Sequence, residues 1–117
     1  MKENIVAVKS MLFAIEIMAL CKRLKAKKEY ELASQILRAG TSIGANIAES
    51  VDAQSAKDFL YKISIALKEA RETKYWFDLL VKSETYTISE LKCTRLLEEI
   101  ISILTKIKKT LKTNYNL

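Results

Sequence analysis

The side chains that most often perform catalysis or bind metals are scarce in this 117-residue chain. Histidine is absent, and cysteine occurs only at positions 21 and 93. The chain therefore lacks the commonest general acid and base and the commonest metal ligand. Two thiols are too few for a four-thiolate zinc site or a disulfide framework within one chain. Both cysteines lie on apolar rows with no histidine to activate them, so we interpret them as buried, reduced thiols.

The carboxylates do not make up for this lack. Glu69 lies near Glu72, and Glu98 is adjacent to Glu99, but no Glu-x-x-His motif is present to complete a di-iron site of the kind built in helical bundles. We therefore predict a protein that has no enzymatic activity, no metal site and no cofactor.

Clusters of cations are the strongest charge signal, within a formal net charge of +6. One cluster ends the first predicted helix and the other ends the fourth, at the opposite end of the molecule. Such cations either stabilise a helix C-terminus as solvated residues or neutralise nucleic-acid phosphates. Neither cluster contains the interleaved aromatic residues that stack on bases, so we expect binding that follows backbone charge more than base sequence. The clusters are Lys22, Arg23, Lys25, Lys27 and Lys28, and Lys106, Lys108, Lys109 and Lys112.

The elements that must position these residues are helices. Half of the chain is hydrophobic, proline is absent and glycine occurs twice, which excludes the usual punctuation of β-proteins. Four amphipathic stretches with short connections predict an all-α, antiparallel up-down-up-down four-helix bundle that forms one domain over residues 1–117. The expected helices run from about Asn4 to Ala26, Tyr30 to Val51, Ser55 to Lys82, and from Thr87 onward.

Capping boxes predict where the third and fourth helices begin, at Ser55 and at Thr87. On the first helix, two neighbouring rows at helical spacing form a wide apolar stripe of the kind that faces a core. These rows are Ile5, Val8, Leu12, Ile15 and Ala19, and Met11, Ala14, Met18 and Cys21.

No membrane segment or export signal is expected. The longest uncharged run, Ala39 to Ala48, has ten residues, whereas a bilayer span requires about 20. Lys2, Glu3 and Lys9 interrupt the N-terminal stretch, which is unlike a secretion signal. We expect a cytoplasmic protein that has no membrane partner.

The second helix contains both glycines. Gly40 and Gly44 each cost a helix roughly 1 kcal/mol relative to alanine, but they let a neighbouring backbone approach closely. We predict an unbroken helix, because Ile36, Ile43 and Ile47 keep one phase across the glycines. A turn at Gly40 is the alternative.

A polar row runs along the same helix beside the glycines. If the turn that follows centres near residues 53–54, Arg38 lies opposite Glu69, with Glu72 one turn further on. This register predicts an ion-paired clamp between the second and third helices. A subunit contact, a ligand site and a merely solvated face are the alternatives. The row consists of Arg38, Ser42, Asn46 and Glu49.

An aromatic run, Tyr75-Trp76-Phe77, occupies three consecutive positions of the third helix. Three consecutive helical residues cannot all face one core. Phe77 has the core phase, so Tyr75 or Trp76 points outward. Aromatic residues are enriched at interfaces, which favours a subunit contact over cover of the bundle's own flank.

Two stretches of the sequence resemble a known family. The run from Gln35 to Glu49, QILRAGTSIGANIAE, resembles the signature of bacterial four-helix bundles that include proteins encoded within intervening sequences of 23S ribosomal RNA genes. The stretch from Asp58 to Trp76 resembles the third helix of that family, and the resemblance extends from Ile5 to about Leu111.

The resemblance implies a bundle that assembles into a homopentamer. It also implies similarity to the accessory variability proteins of diversity-generating retroelements, which are basic pentamers that work with a reverse transcriptase and nucleic acid. It implies no catalytic residue and no cofactor, and it gives the central motif a structural role. The motif maps onto Arg38, Ser42, Gly44, Asn46 and Glu49.

The leading hypothesis is a non-enzymatic, oligomeric protein that binds RNA or DNA through its basic clusters. The alternative is a scaffold that organises a partner protein without nucleic acid, with its positive charge steering an acidic partner.

Overall fold

The protein is an antiparallel four-helix bundle, as predicted. The structure, a computed structural model, describes residues 4–117, and within them there is no β-strand. The bundle measures 46 × 24 × 22 Å. Helix α2 packs between α1 and α3, and α4 packs mainly on α3 and less extensively on α1. The helices are α1 (Ile5–Ala26), α2 (Tyr30–Ser50), α3 (Ala56–Lys82) and α4 (Thr94–Asn114).

The turns after α1 and α3 each use a left-handed residue other than glycine. Beyond α1, Lys28 adopts the left-handed conformation, and the Glu29 amide donates to the Leu24 carbonyl at 2.9 Å. Beyond α3, Glu84 does the same, and the Thr85 amide donates to the Leu80 carbonyl. These six-to-one bonds satisfy carbonyls that the helix ends would otherwise leave unpaired. They reverse the chain within a few residues and make neighbouring helices antiparallel.

The predicted start of α4 is wrong. The capping box at Thr87 forms, with Thr87 and Glu90 exchanging side-chain and backbone hydrogen bonds. It caps a single 3-10 turn, Ile88–Glu90, and α4 begins only at Thr94. The intervening Leu91 is buried, which pulls this connection into the core and ends the first turn. Cys93 therefore precedes α4 and does not lie inside it.

The predicted inner face of α1 is also wrong. The residues that face the core are Val6, Phe13, Ile17, Leu20 and Leu24, together with Cys21. The row from Ile5 to Ala19 faces solvent instead, as do Met11 and Met18 of the neighbouring row, and only Cys21 of the predicted stripe is buried. The buried residues and the predicted stripe both recur at helical spacing, so periodicity alone could not show which of them faces the core. Lys2 and Glu3, on which part of the expectation about export rests, lie outside the described residues.

Helix α2 is unbroken, as predicted, and its glycines lie against α1. A Cβ on Gly40 would lie 2.8 Å from Cγ1 and 2.9 Å from Cγ2 of Ile17, which is closer than side chains pack. At Gly44 a Cβ would lie 3.2 Å from Oγ of Ser10. The absence of a side chain at Gly40 is therefore what lets Ile17 reach the α2 backbone.

A polar seam joins α2 to α3 in the register that the sequence predicts. The Arg38 guanidinium forms ion pairs with Glu69, at 3.1 Å, and with Glu72. The Trp76 indole N–H donates to the same Glu72 carboxylate at 3.1 Å. The Arg38 side chain is 49% exposed, so solvent screens these pairs. Further along the seam, Lys62 pairs with Glu49 at 3.4 Å.

The middle of the polar row bonds back to its own helix. The Ser42 hydroxyl donates to the Arg38 carbonyl at 2.6 Å, and the Asn46 amide donates to the Ser42 carbonyl at 2.9 Å. These groups therefore satisfy local backbone carbonyls of α2.

Replacing Gly40 with alanine should destabilise the protein. The gain in helix propensity is about 1 kcal/mol, whereas overpacking against the buried Ile17 costs about 1–3 kcal/mol, so we expect a net loss of about 1 kcal/mol. Urea unfolding followed by circular dichroism at one protein concentration measures this. Gly44→Ala is the matched control and should cost less. A Gly40→Ala protein as stable as the wild type would contradict the packing argument.

Replacing Arg38 with glutamine should cost about 1 kcal/mol, because half-exposed ion pairs contribute far less than buried ones. Lys62→Gln removes the other pair across the same two helices, which involves a more exposed glutamate, and should cost less. Added salt should shrink both losses. The measurement is again the free energy of unfolding, and a loss above about 3 kcal/mol for Arg38→Gln would show that the seam behaves as a buried pair.

Candidate association face and nucleic-acid interface

The solvent-facing arc of α1 is apolar from end to end over its first four turns. Six large hydrophobic side chains on it are between 39% and 64% exposed. The charged residues Lys9 and Glu16 lie at the edge of this arc, and Lys9 is held there by an ion pair with Glu99 of α4. We call this arc the apolar face. It consists of Ile5, Val8, Met11, Leu12, Ile15 and Met18.

A groove of small residues continues the apolar face onto α2. Met11 and Ala14 line it on the α1 side, and Gly44, Ala45 and Ala48 line it on the α2 side. Contiguous apolar surface of this kind on a small protein is a candidate site of contact with another molecule. Among residues 4–117, nothing covers the apolar face or the groove.

The first basic cluster lies immediately beyond the apolar face, at the C-terminal end of α1. All five of its cations are exposed. Lys92, from the connection before α4, lines a cleft together with Arg23 and Lys27 and adds a sixth positive charge. Sequence reasoning missed Lys92 because it lies far along the chain and in no run of cations. We call this end of the bundle the basic pole.

Two further residues shape the cleft of the basic pole. The Tyr86 ring is buried, and the Lys27 ammonium lies 4.1 Å from its centroid, a cation–π contact. Glu90 lines the cleft and accepts a hydrogen bond from the Thr87 amide at 2.8 Å. This bond holds the pKa of the Glu90 carboxyl below its ordinary value. The carboxylate therefore stays ionised and offsets part of the positive charge.

The second basic cluster lies at the other end of the bundle. Three of its lysines are exposed and Lys108 is half-buried. The C-terminal end of α4 adjoins the start of α1, since Asn4, Leu111 and Tyr115 line one cleft. The two clusters are thus placed at opposite ends, and the fold does not bring them together.

The aromatic run divides as the spacing predicts. Phe77 is buried, Trp76 is half-buried in the polar seam and Tyr75 is exposed. The Tyr75 and Trp76 rings meet edge to face, with centroids 5.2 Å apart. Trp76 therefore covers the flank of its own bundle, and only Tyr75 is free to contact another molecule.

Cys21 and Cys93 are buried and form no disulfide. Burial raises the pKa of the Cys93 thiol to about 11 and raises that of Cys21 as well. The Cys21 thiol donates to the Ala33 carbonyl at 3.3 Å. Thiols in this state are protonated near neutral pH and are poor nucleophiles.

Neither a cluster of metal-ligating side chains nor a helix that could span a bilayer occurs among the described residues. Residues 4–117 contain no group of three or more histidine, cysteine, aspartate or glutamate side chains that could hold a metal ion. Within the same residues, every helix is too short or too polar to cross a bilayer.

Comparison with known proteins places the chain in a family. The family model for the 23S rRNA-intervening sequence protein matches residues 2–109. A crystal structure of a protein of unknown function from the S23 ribosomal protein family of Bacteroides thetaiotaomicron is 46% identical, with a TM-score of 0.69, and the match covers 92% of this chain and 95% of that chain. No curated protein matches significantly. The chain therefore belongs to the 23S rRNA-intervening sequence protein family.

Proposed function

We propose that this protein is a self-associating, non-enzymatic nucleic-acid-binding protein. One observation carries the proposal: the apolar face and the basic cluster are consecutive on the same helix. The apolar face ends at Met18, and the cations begin at Lys22. Copies that associate through α1 in a ring, with their α1 helices pointing the same way, would therefore bring their basic poles to one side.

The apolar face supplies the free energy for association. Fully burying an exposed large apolar side chain contributes about 1.5–3 kcal/mol, and each of the six on α1 would contribute part of this, because they are 39% to 64% exposed. Loss of translational and rotational freedom offsets much of this, so the small-residue groove matters because it lets a second helix pack closely. The family resemblance makes five the expected number of copies.

Association concentrates the positive charge. A single chain carries +6, and five copies would carry five times that charge, or +30. Each cation at the basic pole contacts phosphate weakly, but pooled cations release many counterions on binding and give an affinity that falls steeply with salt. Because the basic pole is built mainly from Lys and Arg side chains, it reads the backbone and not the bases. The second basic cluster would add a separate patch at the far end.

A scaffold for a partner protein is the second candidate, and the same apolar face favours it. The two candidates differ in what covers α1: another copy in the first, a different protein in the second. The purified protein alone distinguishes them, because only the first predicts association without a partner.

The purified chain should be oligomeric, and charge placed on the apolar face should separate the copies. Ile15→Glu should yield a monomer, because it buries a carboxylate at the centre of the contact. Ile88→Glu is the matched control, since Ile88 is 67% exposed and Ile15 57% exposed, and it should leave the oligomer intact. Light scattering after size exclusion measures the mass. A wild-type monomer at micromolar concentration would contradict self-association.

Removing cations from the basic pole should weaken RNA binding. Lys22→Gln with Lys25→Gln should reduce the slope of log affinity against log salt by about 2, one for each phosphate that is no longer neutralised. Lys62→Gln with Lys74→Gln removes the same charge from lysines already paired on the bundle's sides and should have a smaller effect. Filter binding of a structured RNA at several salt concentrations tests this. Absence of binding at low salt, or an equal reduction in both variants, would refute the proposal.

A further inference from the structure

The outward face of α3 combines cations and tyrosines at helical spacing. Seven of its eight positions are exposed, and Ser64 is half-exposed. These eight positions hold four cations and two tyrosines, and the exposed carboxylate of Asp78 lies along their edge. We call it the α3 stripe. It consists of Lys57, Tyr61, Ser64, Lys68, Arg71, Tyr75, Leu79 and Lys82.

Within residues 4–117 the cations of the α3 stripe form no ion pair. None of the four lies within 4.0 Å of a carboxylate oxygen in the part of the protein that the structure describes. The carboxylates of α3 lie at its flanks and are engaged there. Asp78 pairs with Lys74, and Glu69 and Glu72 pair with Arg38. The stripe is therefore a line of free positive charge.

The tyrosines interrupt this line of charge with flat apolar surface. Tyr61 is 62% exposed and Tyr75 is 60% exposed. Tyr75 is braced from beneath, because its ring meets Trp76 edge to face and Trp76 is fixed by Glu72. Fourteen residues of α-helix separate the two rings by about 21 Å along the axis.

We propose that the α3 stripe binds single-stranded nucleic acid. The phosphates would lie against its four cations, Lys57, Lys68, Arg71 and Lys82, and bases would stack on Tyr61 and Tyr75. Single-strand binding surfaces combine positive charge that follows the backbone with aromatic rings that stack on bases. In a duplex the bases are already stacked and paired, so exposed tyrosines would gain nothing from it. This inference rests on the proposed function that the chain binds nucleic acid, but it assigns a separate surface and a specific class of ligand.

Fluorescence anisotropy tests the stripe with a labelled single-stranded oligonucleotide long enough to follow α3, used as RNA and as DNA, and with the matching duplex. Tyr61→Ala with Tyr75→Ala should weaken single-strand binding by roughly tenfold or more for each tyrosine and leave duplex binding unchanged. Tyr61→Phe with Tyr75→Phe keeps both rings and should bind nearly as the wild type does. The four cations should contribute about 3 to the salt slope for a single strand.

The protein carries its own reporter for this site. Trp76 is the only tryptophan and lies against Tyr75, so a base that stacks on Tyr75 should change the Trp76 emission. A duplex bound at the basic pole should leave that emission unchanged. The tryptophan signal thus shows where a ligand binds as well as whether it binds.

The outcomes separate this inference from the proposed function. If the wild type binds no nucleic acid at low salt, both fall. If single-strand affinity survives removal of the tyrosines but falls with Lys22→Gln and Lys25→Gln, the proposed function stands and the α3 stripe is refuted. The stripe is also refuted if Tyr75→Ala changes the oligomer mass and not the affinity, or if polyglutamate displaces the single strand as effectively as unlabelled oligonucleotide does.

Discussion

The contact between Ile17 and Gly40 determines how the surface of the protein is arranged. Ile17 is fully buried and reaches a stretch of α2 backbone that has no side chain. This contact fixes the rotation of α1 and turns Phe13 inward against Phe77, with ring centroids 6.1 Å apart. A helix that is apolar on both sides can turn only one of them inward. The remaining side, centred on Ile15, is therefore left in solvent, and the expected association follows from that rotation.

The same packing determines which charged side chains are paired and which are not. Five of the described carboxylates form ion pairs, and among them Glu69, Glu72 and Glu99 pair with cations of neighbouring helices. The cations outnumber them, and the surplus lies at the two ends and along the α3 stripe. The excess of Lys and Arg is thus left in separate positive patches, and at the basic pole Glu90 offsets part of the charge. Each patch neighbours a different helix end or face and can be altered without disturbing the core.

Sequence reasoning predicted what depends on local pattern and failed where tertiary packing decides. The helix count and the pairing of Arg38 with Glu69 follow from spacing and short turns. Once the turn is placed, the residues that lie opposite each other in two antiparallel helices can be found by counting from it. The inner face of α1 could not be predicted, because two apolar rows fit equally well until Gly40 selects Ile17. The start of α4 was misplaced because a capping box stabilises one turn as well as a long helix, and buried Leu91 ends it.

The candidate sites show the same division. Clusters of adjacent cations, such as the one after Cys21, are visible in the amino-acid sequence. The α3 stripe is not, because its members are three or four residues apart and are separated by the buried positions of α3. Lys92 joins the basic pole only through the fold. A scan of each predicted helix for polar residues at helical period would have found the stripe, although not whether its cations were already paired.

The hydrogen bond from Thr87 to Glu90 has a consequence for how any bound polyanion could be released. Histidine is the only side chain whose ordinary pKa lies between about 5 and 8, and it is absent. The pKa of Glu90 is held further below that interval, and burial moves the pKa of both thiols further above it. The attraction of the basic pole is thereby insulated from the acidity changes that occur in cells. Ionic strength and competing polyanions, and not protons, would be the means of dissociation.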